Sequence, residues 1–152
     1  MGRVVGIDPG LSGCCVVIED GRYLTHIGMP VGGGTKKKVL GAELARWLAA
    51  INPRLVVIEQ VASRPGQGVV SMFNFGHACG VVDGVVSALQ LSKQNVTPQV
   101  WKSRVGLSGG DKDDARLWAM QRFPEAMEHL TTKAKGQALA DALGIALWGE
   151  RC

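Results

Sequence analysis

The chain opens on a short apolar run. Val4-Val5-Gly6-Ile7 has no polar position and is mostly β-branched, which predicts a strand over residues 3–8, buried on both faces and closed by Asp8. The turn Asp8-Pro9-Gly10-Leu11-Ser12-Gly13 follows, and Cys14-Cys15-Val16-Val17-Ile18-Glu19 predicts a second strand. Asp20-Gly21 is a two-residue hairpin signal, so residues 22–27 are expected to fold back as its partner. Residues 28–35, with Gly32-Gly33-Gly34 at their centre, read as a flexible loop. The rhythm then changes: Leu40, Leu44, Trp47, Leu48 and Ile51 recur at helical spacing across 39–51, and Asn52-Pro53 stops that helix. Leu55-Val56-Val57-Ile58 is a further unbroken apolar run and predicts a strand over 54–59 that closes on Glu59.

After a loop containing Pro65-Gly66-Gln67-Gly68, residues 69–90 read as a helix interrupted by Gly76, Gly80 and Gly84. That row, spaced by four, would let another backbone approach, from this chain or a partner. A short strand is expected at 95–97, a small helix from about Pro98, a helix over 111–122 after the Gly109-Gly110 break, and a last helix over 137–149. The order predicts an α/β fold: a mixed five-stranded sheet flanked by helices, in a single domain spanning 1–152. If the first and fourth strands lie side by side, Asp8 and Glu59 become neighbours, and the last helix can bring Asp141 across that edge.

Composition narrows the partners. Charged residues make up 20% and hydrophobic ones 46%, a balance that argues against disorder. No apolar run is expected to approach the roughly 20 residues that span a bilayer, the N-terminus carries no signal-peptide pattern, and no membrane partner is expected. The net charge of +4 allows an anionic partner without demanding one. Its distribution says more: Lys36-Lys37-Lys38 sits in the glycine-rich loop, and Lys93, Lys102, Arg104, Lys112, Arg116, Arg122, Lys133 and Lys135 crowd the C-terminal half. A solvated basic surface would look the same on charge alone. Cys14, Cys15, Cys79 and Cys152 lack metal-ligand spacing and read as reduced thiols of a cytoplasmic protein, with Cys14 and Cys15 pointing to opposite faces of their strand. His26, His77 and His129 are scattered, so no zinc site is expected.

Three carboxylates carry the candidate chemistry. Asp8 before Pro-Gly is also a good turn residue. Glu59 is a poor strand residue closing a run that should be buried. Asp141 lies in the helix-like Ala140-Asp141-Ala142-Leu143-Gly144-Ile145, where its bland reading is a charge favouring the helix dipole. Converging, the three would form a hard, oxygen-rich site for Mg²⁺ or Mn²⁺, suited to metal-assisted phosphodiester hydrolysis. Lys102 and Lys112 are candidates to clamp a phosphate, against the alternative of helix-surface charge. Met72-Phe73-Asn74-Phe75 is either core or, following a flexible loop, a wedge between bases.

These pieces, in order, resemble the RuvC family of Holliday-junction resolvases within the ribonuclease H-like superfamily, phage-type members in particular. The resemblance rests on Gly6-Ile7-Asp8-Pro9-Gly10, Ile58-Glu59-Gln60-Val61, Pro65-Gly66-Gln67-Gly68, Phe75-Gly76, Gly80, Pro98 with Trp101-Lys102, Lys112, and Ala140-Asp141-Ala142-Leu143. It implies a ribonuclease H-like fold and a homodimer that binds four-way or branched DNA and nicks it symmetrically with divalent metal, in the cytoplasm of a bacterium or a phage-infected host. It makes Asp8, Glu59 and Asp141 metal ligands and Lys102 and Lys112 catalytic or phosphate-contacting. Lys36, Lys37, Lys38, Arg64, Phe73, Phe75, Lys102, Arg104, Lys112 and Arg116 are the expected DNA contacts. One departure stands out: the family carries a second acidic residue where this chain has Ala138. A carboxylate there would be expected to share a helix face, and so a cavity, with Asp141. Its absence leaves open a protein that binds junctions with weak or no cleavage.

Overall fold

The computed structural model of the protein describes Gly2 to Arg151, the side chain of Lys112 excepted; Cys152, expected as a reduced thiol, lies outside the described residues. Among the described residues, seven strands and six α-helices follow in the order β1 (Val4–Asp8), β2 (Cys14–Glu19), β3 (Arg22–Gly28), β4 (Val31–Gly32), β5 (Lys38–Val39), α1 (Gly41–Ile51), β6 (Leu55–Glu59), α2 (Val69–Ala88), β7 (Lys93–Val96), α3 (Pro98–Val105), α4 (Lys112–Arg122), α5 (Met127–Leu130) and α6 (Lys133–Glu150), with a 3₁₀ turn over Pro124–Ala126.

The main sheet has the order β3-β2-β1-β6-β7. β1 runs antiparallel to β2, with Asp8 opposite Cys14, and parallel to β6, with Ile7 opposite Ile58. The expected adjacency therefore holds: Asp8 and Glu59 close neighbouring parallel strands at the same end of the sheet. Two cores cover its faces. Val4, Cys14, Val16, Leu55 and Val57 face the α3–α6 side, whereas Val5, Cys15, Val17, Val56 and Ile58 pack with Leu44 and Leu48 of α1 and Val82 and Val86 of α2. Cys14 and Cys15 thus go to opposite faces, as strand alternation requires.

Several elements differ from expectation. The loop after β3 carries a small β4–β5 hairpin, Val31 opposite Val39, whose strands are too short to show a period. β7 begins at Lys93 because an edge strand tolerates the exposed polar Gln94 and Asn95 that hide it in the sequence. α6 starts at Lys133, since Lys-Ala-Lys-Gly forms helix without contributing an apolar stripe. The segment 124–130, unassigned from the sequence, turns twice to bury Ala126 and Leu130.

α2 is the one helix among the described residues long and apolar enough, by length and composition alone, to cross a membrane, a point the expectation of no such run overlooked. Ala78, Val82 and Val86 instead pack against the sheet. Val82 and Val86 are therefore core, and Val81 and Val85 are half-buried beside Gly41. The opposite face stays in solvent: Val69 and Phe73 are 78% and 71% exposed, and nothing lies within 4 Å of a Cβ built on Gly76, Gly80 or Gly84.

α6 lies almost directly on the strands. A Cβ on Gly6 would come within 2.4 Å of the Ala142 carbonyl oxygen, and one on Gly144 within 2.3 Å of the Trp101 ring. Backbone cannot yield as a flexible side chain does. Gly6→Ala is therefore expected to lift α6 and lower stability by about 1–3 kcal/mol, the usual range for overpacking a tight core. Urea unfolding should show an earlier midpoint at unchanged slope; an unaltered midpoint would mean that the close approach is not constraining.

Candidate active site

The site is assembled at the C-terminal ends of two strands and the middle of one helix. Asp8 ends β1 half-buried and is followed by a turn in which Gly10 adopts φ +117° and Phe75 of α2 packs over it. Glu59 ends β6 at 9% exposure, the one charged side chain among the buried described residues. It survives burial because the fully buried Trp101 donates its indole Nε1–H to Glu59 Oε2 at 2.7 Å. Trp101 is in place because Thr97 caps α3 and Pro98 opens it. Asp141 lies far inside α6, well past the first turn, so the helix-dipole reading of this residue does not hold. Gln137, one turn earlier, donates its side-chain Nε2–H to Asp141 Oδ1 at 3.0 Å.

Electrostatics bind these groups into one unit. Burial, then the charges of Glu59 and Asp141, push the Asp8 carboxyl up from 3.8 to about 8, and Lys102 pulls against them. Burial also raises Glu59, opposed by the Trp101 hydrogen bond and by Lys102. Cys79 of α2 is raised by burial and by Asp8 and Glu59, which places beside the site a thiol that no sequence motif marks. The carboxylates are coupled but not closed around one point: among the described residues no three His, Cys, Asp or Glu side chains are grouped so as to hold an ion. Glu59 is turned to Trp101 and Asp141 to Gln137. The donor set nevertheless fits a hard divalent cation in kind, being carboxylate oxygens whose mutual repulsion a cation would relieve.

Lys102 joins two cavities. A cleft of about 650 Å³ runs from Gln60 and Arg64 past Gln99 to Lys102, and a chamber of about 200 Å³ lies between Lys102, Asp111, Gln137 and Asp141. Ala138 does not open on that chamber. It lines a third cavity with Ser12, Cys14, His26 and Lys135, while Gln137, one turn before Asp141, lines the chamber with it.

The expected DNA contacts scatter. Lys36, Lys37 and Lys38 are exposed on the β4–β5 hairpin, which packs against α2, while Arg104 is exposed on α3, across the sheet. Arg64 is exposed at the rim of the large cleft. Arg116 turns inward, donating to Asp113 Oδ1 at 2.8 Å and to the Leu130 carbonyl at 3.4 Å, so it is engaged by the protein itself. Lys112 opens α4, but its side chain lies outside the described residues. Phe73 is in solvent rather than core, whereas Phe75 is half-buried. The scattered histidines partly meet: His26 and His129 rings stand 4.9 Å apart, with the Tyr23 hydroxyl 2.8 Å from His26 Nδ1.

A family model described as crossover junction endodeoxyribonuclease RuvC matches residues 4–148. The chain belongs to the RuvC family. Similar RuvC proteins include that of Mycobacterium ulcerans, 32% identical over 160 residues covering 95% of this chain and 81% of the relative, and that of Paenarthrobacter aurescens, 29% identical over 155 residues with 95% and 79% covered. Among solved structures, T. thermophilus RuvC in complex with Holliday junction substrate superposes at a TM-score of 0.70 with 20% identity, covering 95% of this chain and 90% of that one. The Fowlpox virus resolvase, solved with Holliday junction DNA, gives 0.59 with 11% identity over 98% and 97%. These likenesses bear on the fold, which is the ribonuclease H-like one expected.

The raised Asp8 makes stability fall as pH climbs. The folded protein holds a proton that the unfolded chain releases near 3.8, so the contribution is complete below that value and lost as pH rises towards about 8. Asp8→Asn is expected to flatten this slope and to melt higher than the unmodified protein at pH 8 in cation-free buffer, by about 2–4 °C for each kcal/mol relieved. Parallel melting curves for both proteins between pH 5 and 8 would remove the coupling from consideration.

Proposed function

We propose that this chain is a Holliday-junction resolvase: a metal-dependent endonuclease that acts as a homodimer and nicks four-way DNA symmetrically. The observation that carries the reading is the coupling of Asp8, Glu59 and Asp141 beside Lys102, at the open end of the sheet, in a chain matched over residues 4–148 by the RuvC family model. Asp8, Glu59 and Asp141 would hold Mg²⁺ or Mn²⁺, which when bound would activate water and stabilise the leaving oxygen. Trp101 keeps Glu59 ionisable inside a buried wall. Lys102, which draws both Asp8 and Glu59 towards the charged form, is placed to meet the negative charge that builds on the phosphate during hydrolysis. Lys112 at the start of α4 is assigned the same kind of contact.

A four-way junction offers two equivalent strands, and a two-fold dimer would present two matching sites. The solvent face of α2, with Val69, Phe73 and the glycine row, is the surface we assign to that dimer and to the junction centre. Phe73 is the aromatic free to stack on an opened base; Phe75 is held over Gly10. Lys36, Lys37, Lys38, Arg64 and Arg104 would follow the phosphates of the arms, with affinity falling steeply in salt. The free thiols Cys14, Cys15 and Cys79 suit the reducing cytoplasm of a bacterium or an infected host. We read the whole chain as one nuclease domain.

Symmetric nicks on a synthetic four-way junction, mapped at nucleotide level with Mg²⁺ or Mn²⁺, are the expected result. Asp8→Asn should abolish them with junction affinity intact. Lys102→Ala should slow cleavage on the order of 10²-fold, more than it weakens binding. Tight junction binding without nicks by the unmodified chain would instead favour the binding-only alternative raised by Ala138.

The dimer has its own test. Gly80→Trp places a bulky ring where no neighbour of its own chain stands, so the monomer should fold normally and sediment at half the mass of the unmodified protein. A variant that sediments like the unmodified dimer would move the interface elsewhere.

A further inference from the structure

Asp141 is delivered by α6 into a chamber that no carboxylate from the same helix shares. The group that does share it is Gln137. Its side chain is half-buried, lines the chamber with Lys102 and Asp111, and donates to Asp141 Oδ1 at 3.0 Å. The two residues stand four apart in a regular helix, the spacing that stacks side chains on one face.

The chemistry of that contact fixes the amide. An ionised carboxylate only accepts hydrogen bonds, so Gln137 must turn its NH₂ to Asp141. Its carbonyl oxygen then points away from Asp141, and no other described group bonds to the Gln137 side chain. One side chain therefore supplies two things. It limits the rotamers open to Asp141, and it offers a neutral oxygen of the kind that hard cations and their bound waters accept.

We propose that Gln137 is a positioning residue for the cation site, restraining the Asp141 carboxylate from one turn away and adding a neutral oxygen donor to the chamber. This rests on the reading of Asp8, Glu59 and Asp141 as a cation site. It also gives position 137 a role distinct from its neighbour Ala138, which lines a separate cavity with Ser12, His26 and Lys135.

The test compares the unmodified protein with Gln137→Leu, close in size but without hydrogen bonds, and Gln137→Glu, close in shape but anionic. Mn²⁺ binding is measured by calorimetry on protein without DNA, melting is followed with and without Mn²⁺, and cleavage of a four-way junction is titrated with Mg²⁺. Gln137→Leu should bind Mn²⁺ about tenfold more weakly, the usual cost of losing a partner that orients a metal ligand. Its Mg²⁺ midpoint should rise in step, with most of the rate recovered at saturating Mg²⁺. Melting without cation should barely change, which separates positioning from a merely structural role. Gln137→Glu should melt lower without Mn²⁺, because it faces Asp141, and gain more stability than the unmodified protein when Mn²⁺ is added. The proposal is overturned if Gln137→Leu binds Mn²⁺ as the unmodified protein does, or if it loses melting temperature while the Mn²⁺ affinity and Mg²⁺ midpoint stay fixed. Absence of Mn²⁺ binding in the unmodified protein would overturn the cation-site reading and this inference together, whereas intact Mn²⁺ binding by the unmodified chain without cleavage would sink only the nuclease reading.

Discussion

At Gly6 of β1 the backbone of α6 comes so close that a Cβ would not fit, and at Gly144 α6 meets the Trp101 ring as closely. This contact sets the height of α6 above the sheet. Asp141 rides on that helix, Asp8 ends the strand beneath it, and Trp101 reaches from the same seam to Glu59. The spacing of the three carboxylates is thus a packing property before it is a chemical one. Ala140, Ala142 and Ala146, small and fully buried, serve the same end.

Bringing like charges together inside low dielectric opposes folding, and the protein answers with neutral or cationic partners rather than with distance. Glu59 has the indole, Asp141 has the Gln137 amide, and Lys102 bears on Asp8 and Glu59. Asp8 is driven towards neutrality, by burial first and then by the charges of Glu59 and Asp141.

The sheet was legible because its central strands are unbroken β-branched runs, and their polar last residues marked the site. Asp8 and Glu59 could be paired from the sequence once the strands were ordered. Asp141 needed only an apolar helix around it. What escaped was whatever lacks a period: the two-residue β4 and β5, the polar edge strand β7, and the opening turn of α6. Side-chain direction escaped as well. The spacing of residues around Asp141 does not reveal that Gln137 bonds to it. Phe73 was open between core and surface, and only its place on the solvent side of α2 decides it. Arg116 counted as free basic charge until Asp113 and the Leu130 carbonyl claimed it.

For the cation site proposed above, the raised carboxyl of Asp8 would couple cation uptake to acidity. Burial and its acidic neighbours hold this carboxyl towards its protonated form, so a cation bound as proposed would have to displace the proton. Proton and metal therefore compete for the same oxygen atoms. Each ion that binds should acidify the surrounding medium, the heat of binding should vary with the ionisation enthalpy of the buffer, and apparent affinity should climb with pH until Asp8 is fully ionised. A site built this way would give up its cation as acidity rises, with no group beyond its own ligands involved.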